Sequence, residues 1–176
     1  MLVQRWKESL TDGLELTDVA INHEEPSSSK ITVGCSRNGF VIHRYLYLSG
    51  NYVVFLPIYE KSVFLVEKPF ISTGGCLKIL PYAKIGECDV SETELNKAFE
   101  SAFGFKNMKA EIKPISTKQK ELFPLPGPND HRVFPFFAFL EKNPGISGYT
   151  FAEAINTVSD FISRGVLSMA KSLEEN

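Results

Sequence analysis

The run Tyr52-Val53-Val54-Phe55-Leu56-Pro57-Ile58-Tyr59, followed after Glu60-Lys61 by Ser62-Val63-Phe64-Leu65-Val66, constrains this chain more than any other feature. It is rich in β-branched and aromatic residues and almost free of polar interruption. A strand with one face in water alternates apolar and polar residues, whereas a near-continuous apolar run reads as a strand buried on both faces. The expectation is a central hairpin, with Glu60-Lys61 as its turn, covered from both sides. At 176 residues the chain is long enough for one domain with a real core.

Other segments supply the covering layers. Residues 1–20 predict a strand or short helix, and His23 to Lys30 reads as a loop by composition. Ile31-Thr32-Val33 and Phe40-Val41-Ile42 flank Ser36-Arg37-Asn38-Gly39, where Asn-Gly is a strong hairpin signal. Residues 67–79 read as a loop running into a short strand, Leu77 to Leu80. Ala110 to Ile115 and Arg132 to Leu140 predict further strands, with Pro135 favouring an edge or a bulge. Thr150 suits the N-cap of a helix over Phe151 to Arg164 that Gly165 interrupts, followed by a second piece from Val166 to Leu173. Several antiparallel strands, a mid-chain helix, more strands and a terminal helix describe an α+β sandwich.

Charge and cysteine content narrow the function. A formal net charge of −2 leaves no basic footprint for nucleic acid. No apolar run approaches the roughly 20 residues that span a bilayer, and the stretch after Met1 lacks the apolar segment of a signal peptide. Cys35, Cys76 and Cys88 are odd in number and form no CxxC pair. Reduced thiols in a cytoplasmic compartment fit better than a disulfide framework or a zinc site.

Residues 80–105 carry the most specific signal. Leu80-Pro81-Tyr82-Ala83-Lys84-Ile85 begins as a loop, and Ser91 is a plausible N-cap with Glu92 and Glu94 in the first turn. Leu95, Phe99 and Phe103 recur every four residues as a buried helical stripe, and Gly104 fits a left-handed helix end. This stretch resembles the box of the Nudix family, G-x5-E-x7-R-E-U-x-E-E-x-G-U, with Gly104-Phe105 as the closing G-U. Its opening is similar to the L-P-A-G-K-I of the ADP-ribose and ADP-sugar pyrophosphatase branch. Val53–Val66, Pro126-Gly127 with Asp130, Val133–Leu140, Ala152-Glu153-Ala154-Ile155 and Arg164–Ser172 also resemble segments of that branch, in the same order. The resemblance implies a Nudix-like α/β/α sandwich with a mixed β-sheet. It implies N-terminal strands over residues 1–50 that form a dimerisation region, and a Nudix-like domain over residues 51–176 in one structural unit.

The departures bear on chemistry. The first box glycine is Ala83, the first glutamate Asp89 and the arginine Lys97, so an Asp89–Lys97 ion pair keeps the family's charges. The glutamates that hold Mg²⁺ or Mn²⁺ in the family match Ala98, Ser101 and Ala102. Positions i, i+3 and i+4 share a helix face, so three carboxylates there would converge on a cation. Hard divalent cations need oxygen donors, which two alanines cannot give. Glu94, Glu87 and Glu153 are the fallback carboxylates, while Glu94 better suits a helix N-terminal charge and Glu100 points elsewhere. The branch's arginine-rich stretch matches Val66-Glu67-Lys68, leaving Lys68, Ala83 and Lys84 as ligand-binding candidates.

The expectation is therefore a Nudix-like protein, inactive or impaired, that binds a nucleotide-type ligand or a protein partner as a homodimer. It needs no cofactor, with Mg²⁺ or Mn²⁺ relevant only if hydrolysis is retained. The alternatives are an active hydrolase of ADP-ribose or ADP-sugar type with relocated ligands, and a structural subunit. Other constellations read as ordinary structure. His43, Tyr45 and Tyr47 suit a half-buried strand, and His131 a solvated turn. Gly74-Gly75-Cys76 lacks a phosphate-loop pattern, and Gly145-Ile146-Ser147-Gly148 falls one residue short of a nucleophile elbow. Phe134, Phe136, Phe137 and Phe139 suit a strand core or a dimer face.

Overall fold

The central run folds as expected: β4 spans Asn51–Tyr59, and its alternate side chains enter two separate cores. Val54, Leu56 and Ile58 belong to one, Val53 and Phe55 to the other. The computed structural model describes residues 15–25, 28–37, 40–48, 51–70, 75–85, 91–105, 107–115 and 132–174. The chain divides into two compact units, residues 1–51 with 123–132, and residues 52–122 with 133–176.

The first unit contains an antiparallel sheet of β1 (Glu15–Glu25), β2 (Ser28–Arg37) and β3 (Phe40–Leu48), in that order. The β2–β3 register reaches Arg37↔Phe40, so the hairpin expected at Asn38-Gly39 is made. The loop expected from His23 to Lys30 is not, because the β1–β2 ladder runs to Glu25↔Ser28. Ladder bonds are made by the main chain, so polar composition does not prevent them at a hairpin end. Ile31 and Val33 are buried, while Lys30 is exposed on the alternate face.

The second unit is built on a mixed five-stranded sheet, ordered β5-β4-β10-β9 with β8 also against β4. Its strands are β5 (Ser62–Val63), β8 (Tyr82–Ile85), β9 (Ala110–Pro114) and β10 (Arg132–Leu140). Helix α1 (Glu92–Phe103) packs on one face, through Leu95, Phe99, Ala102 and Phe103, against Phe55, Phe64, Ala138 and Leu140. Helices α2 (Phe151–Thr157) and α3 (Phe161–Glu174) pack on the other, through Ala154, Val166, Leu167 and Ala170. This is the α/β/α sandwich. Phe55, Phe99, Phe103 and Phe105 form a chain of ring contacts with centroids 4.7–5.3 Å apart, favourable beyond the area they bury.

Four local expectations are corrected. The strand expected from Leu77 is present within β7 (Gly75–Ile79), but residues 67–70, expected as loop, are strand as well, since β6 (Val66–Phe70) pairs with β7 in a two-stranded antiparallel sheet. Their Lys, Pro and Gly content hides a ladder anchored by the Val66↔Ile79 pair, of which Ile79 is fully buried. Residues 82–85, expected as loop, are strand β8, with Ala83 and Ile85 packed on the α1-side core. Gly165 does not interrupt a helix. The break lies at residues 158–160, where Asp160 caps α3: its Oδ1 accepts from Ser163 N at 2.8 Å, and Arg164 donates to the Val158 carbonyl at 3.0 Å. Pro135 lies in an interior strand rather than on an edge. Its carbonyl accepts from Ile115 N at 3.1 Å. Because N–H and C=O of one strand residue face the same neighbour, its missing donor faces the end of β9. Pro57 is placed alike, its carbonyl accepting from Phe64 N at 3.0 Å.

Candidate functional site

Helix α1 is set by local chemistry. Ser91 Oγ accepts from Glu94 N at 3.3 Å, and the Glu94 carboxylate accepts from Ser91 N at 3.0 Å and Ser91 Oγ at 2.6 Å. This capping box satisfies donors that the first helical turn leaves open. Gly104 ends the helix at φ 79°, in the left-handed region. Between these ends, Ala98, Ser101 and Ala102 have three different surroundings. Ala102 is 6% exposed inside the apolar core. Ala98 is half-buried against the same core, and Ser101 is exposed. Lys97 and Glu100 are exposed as well.

The fallback carboxylates do not gather beside these positions. The hydrogen bonds from Ser91 hold the Glu94 carboxyl below the usual carboxylate range, with Lys97 adding a smaller pull in the same direction. Glu153 does the same work at the start of α2, accepting from Thr150 N at 2.8 Å and Thr150 Oγ1 at 2.9 Å. Those bonds lower its carboxyl too. Because α2 covers the opposite face of the sheet, Glu153 cannot meet α1. Glu87 and Asp89 lie outside the described residues, so the Asp89–Lys97 pair does too. Among the described residues no three His, Cys, Asp or Glu side chains could hold a common metal ion. A divalent cation of the expected kind needs converging oxygen donors, preferably charged. The described side chains of α1 do not fit one.

The ligand-binding candidates are more instructive. Lys68, on β6, is half-buried, and its Nζ lies 4.9 Å from the centroid of the Tyr82 ring. The Tyr52 ring meets Tyr82 edge-on, 6.2 Å between centroids and 64° between planes. Ala83 faces the core, whereas Tyr82 and Lys84 are exposed on the other side of β8. The sequence reading missed Tyr82 and Tyr52. The alternation of residues 82–85 was the available signal. It also missed Lys78 on β7, which donates to Tyr149 Oη at 2.7 Å and sits 5.4 Å from that ring's centroid. The bond to Tyr149 raises the Lys78 ammonium above its ordinary value. Tyr149 in turn exchanges two 2.8 Å main-chain bonds with Val63.

The remaining candidates lie elsewhere in the fold. His43, Tyr45 and Tyr47 lie on β3, and Cys76 is an exposed free thiol on β7. Phe134 and Phe136 pack in the α1-side core and Phe137 in the other, stacked on the exposed Phe139. His131 and Gly74 lie outside the described residues. No helix among the described residues is long and apolar enough to cross a membrane.

No protein-family model matches the chain, and no curated protein matches it in sequence. Its fold is matched by a solved structure described as an ADP compounds hydrolase. The TM-score is 0.71 at 12% identity, covering 95% of this chain and 97% of that one. Identity this low makes the likeness one of fold: the chain has the Nudix-like α/β/α fold that it shares with that structure.

Proposed function

We propose that this chain is a Nudix-like protein without the usual pyrophosphohydrolase activity, or with that activity strongly impaired, that binds a nucleotide-type ligand. One observation carries the reading. The α1 positions that would present a cation-binding face are Ala98 and Ala102, both turned to an apolar core, while Glu94 is engaged in the helix cap. Without a bound cation, nothing supplies the charge neutralisation and water activation that phosphoryl chemistry requires. The nucleotide part is supported by the fold shared with a hydrolase of ADP compounds. The test is pyrophosphatase activity on ADP-ribose and ADP-sugars with Mg²⁺ or Mn²⁺. Turnover near ordinary enzyme values, roughly 1 s⁻¹ or more, would overturn it.

Homodimerisation through the N-terminal strands belongs to the same proposal. β1 is an edge strand of its sheet, and Ile21 on it is 52% exposed. Light scattering that gives a monomer at micromolar concentration would count against it. A reducing, cytoplasmic compartment is supported by the free, exposed Cys76. Loss of its reactivity toward a thiol reagent in protein taken directly from cells would speak against it.

A further inference from the structure

Tyr82 is a ring that the core does not require. On β8 the core side is filled by Ala83 and Ile85, and Tyr82 stands on the alternate side at 37% exposure. What touches it comes from two other strands of the same unit: the Lys68 ammonium from β6, 4.9 Å from the ring centroid, and the edge-on Tyr52 ring from β4. An exposed aromatic ring and an ammonium beside it are the two groups a single nucleotide needs, one for its base and one for its phosphate.

We propose that Tyr82 is a base-stacking shelf and Lys68 its phosphate-binding partner, the lysine covering the ring until a nucleotide replaces it. This deepens, and rests on, the nucleotide-binding reading above. On binding, Lys68 swings off the ring and takes a phosphate oxygen, and the base takes the ring face it leaves. The exchange is favourable on both sides. An ammonium over an exposed ring is a weak contact, while base stacking is stronger and an ammonium on phosphate is charge-assisted. A nucleic acid strand is a poorer occupant, since the chain carries a net charge of −2 and so lacks the basic balance that a polyanion calls for.

The test is calorimetric titration of the full chain with ADP, adenosine and pyrophosphate. Tyr82→Leu should weaken ADP and adenosine by about tenfold and leave pyrophosphate unchanged, whereas Tyr82→Phe should bind like the wild type. Lys68→Gln should weaken ADP but not adenosine. Wild-type ADP affinity in Tyr82→Leu overturns the shelf and leaves the nucleotide reading standing. Failure of the wild type to bind ADP or adenosine overturns both. Should Tyr82→Leu not fold, the ADP-against-adenosine difference in Lys68→Gln decides: equal losses for both ligands, or none, overturn the proposal.

Discussion

Replacing Ala102 by glutamate tests whether the α1 face that carries Ala98 and Ala102 belongs to the core. Ala102 is 6% exposed among Leu95, Phe99 and Phe103, so the longer side chain meets packed atoms and its carboxylate loses water. Overpacking and an unsatisfied polar group together put the cost of Ala102→Glu at about 3 kcal/mol. For a chain of this size that lowers Tm by roughly 6–12 °C. Ser101→Glu adds the same charge one residue earlier on an exposed position, and its cost should fall within about 0.5 kcal/mol. The pH dependence separates burial from simple bulk. Burial raises the introduced carboxyl's folded-state pKa, so its penalty is full above that value and relieved as pH falls through it. The gap in Tm between the two variants should therefore be widest at neutral pH and narrow on acidification. Thermal denaturation followed by circular dichroism at several pH values reads both quantities. Equal melting of Ala102→Glu and Ser101→Glu would mean that the face is open, and the argument from an apolar α1 would fail.

Three further outcomes follow from local geometry. Gly165 is exposed within α3 and a Cβ there meets nothing within 4 Å, so Gly165→Ala should add about 1 kcal/mol; a lower Tm would refute this. Ser91→Ala should cost about 1 kcal/mol and should also flatten the acid sensitivity of the fold. The Glu94 carboxyl is depressed in the folded state, so its contribution is complete above the ordinary value of 4.5 and is lost as pH falls below it. Urea midpoints that decline in parallel for variant and wild type from pH 5 downward would contradict that. Tyr149→Phe removes the acceptor of Lys78 and should speed amide exchange in residues 75–79 severalfold, with little change in Tm; unchanged exchange would show that the contact does not steady the hairpin. The bond holds at neutral pH, since it raises the Lys78 ammonium above 10.5 and weakens only as pH climbs through the raised value.

What could be read in advance was what the chain encodes locally. Residues 52–59 announce burial on both faces by composition alone, and Ser91 and Thr150 stand out as N-caps, while the carboxylates of Glu94 and Glu153 that close each capping box became evident only in the structure. That residues 98, 101 and 102 are Ala, Ser and Ala, with no carboxylate among them, was equally plain. The rest depends on what each segment meets in space. Gly165 tolerates the helix because Asp160 starts that helix five residues earlier. The ladder between residues 66–70 and 75–79 is made by main-chain groups, which a composition of Lys, Pro and Gly obscures. Glu153 looked like a substitute ligand until α2 was placed on the sheet face away from α1. Tyr82 drew no attention because one ring in a polar stretch becomes conspicuous only when β8 turns it outward and Lys68 arrives from β6.

Pro57 and Pro135 occupy the last rung of their respective pairings, where the absent hydrogen costs least. That placement also makes each pairing single-valued. Sliding β9 two residues along β10, so that Pro135 faced Lys113 instead of the end of the strand, would keep every side chain on its present face and every apolar contact type. It would, however, set a carbonyl in mid-ladder against a nitrogen that has no hydrogen to give, a loss of about 1 kcal/mol or more. Phe64 and Pro57 impose the same restriction on the central hairpin. Where a strand is apolar on both sides, as β4 is, hydrophobicity alone would accept several alignments, and a proline at the last rung adds a main-chain reason for one of them.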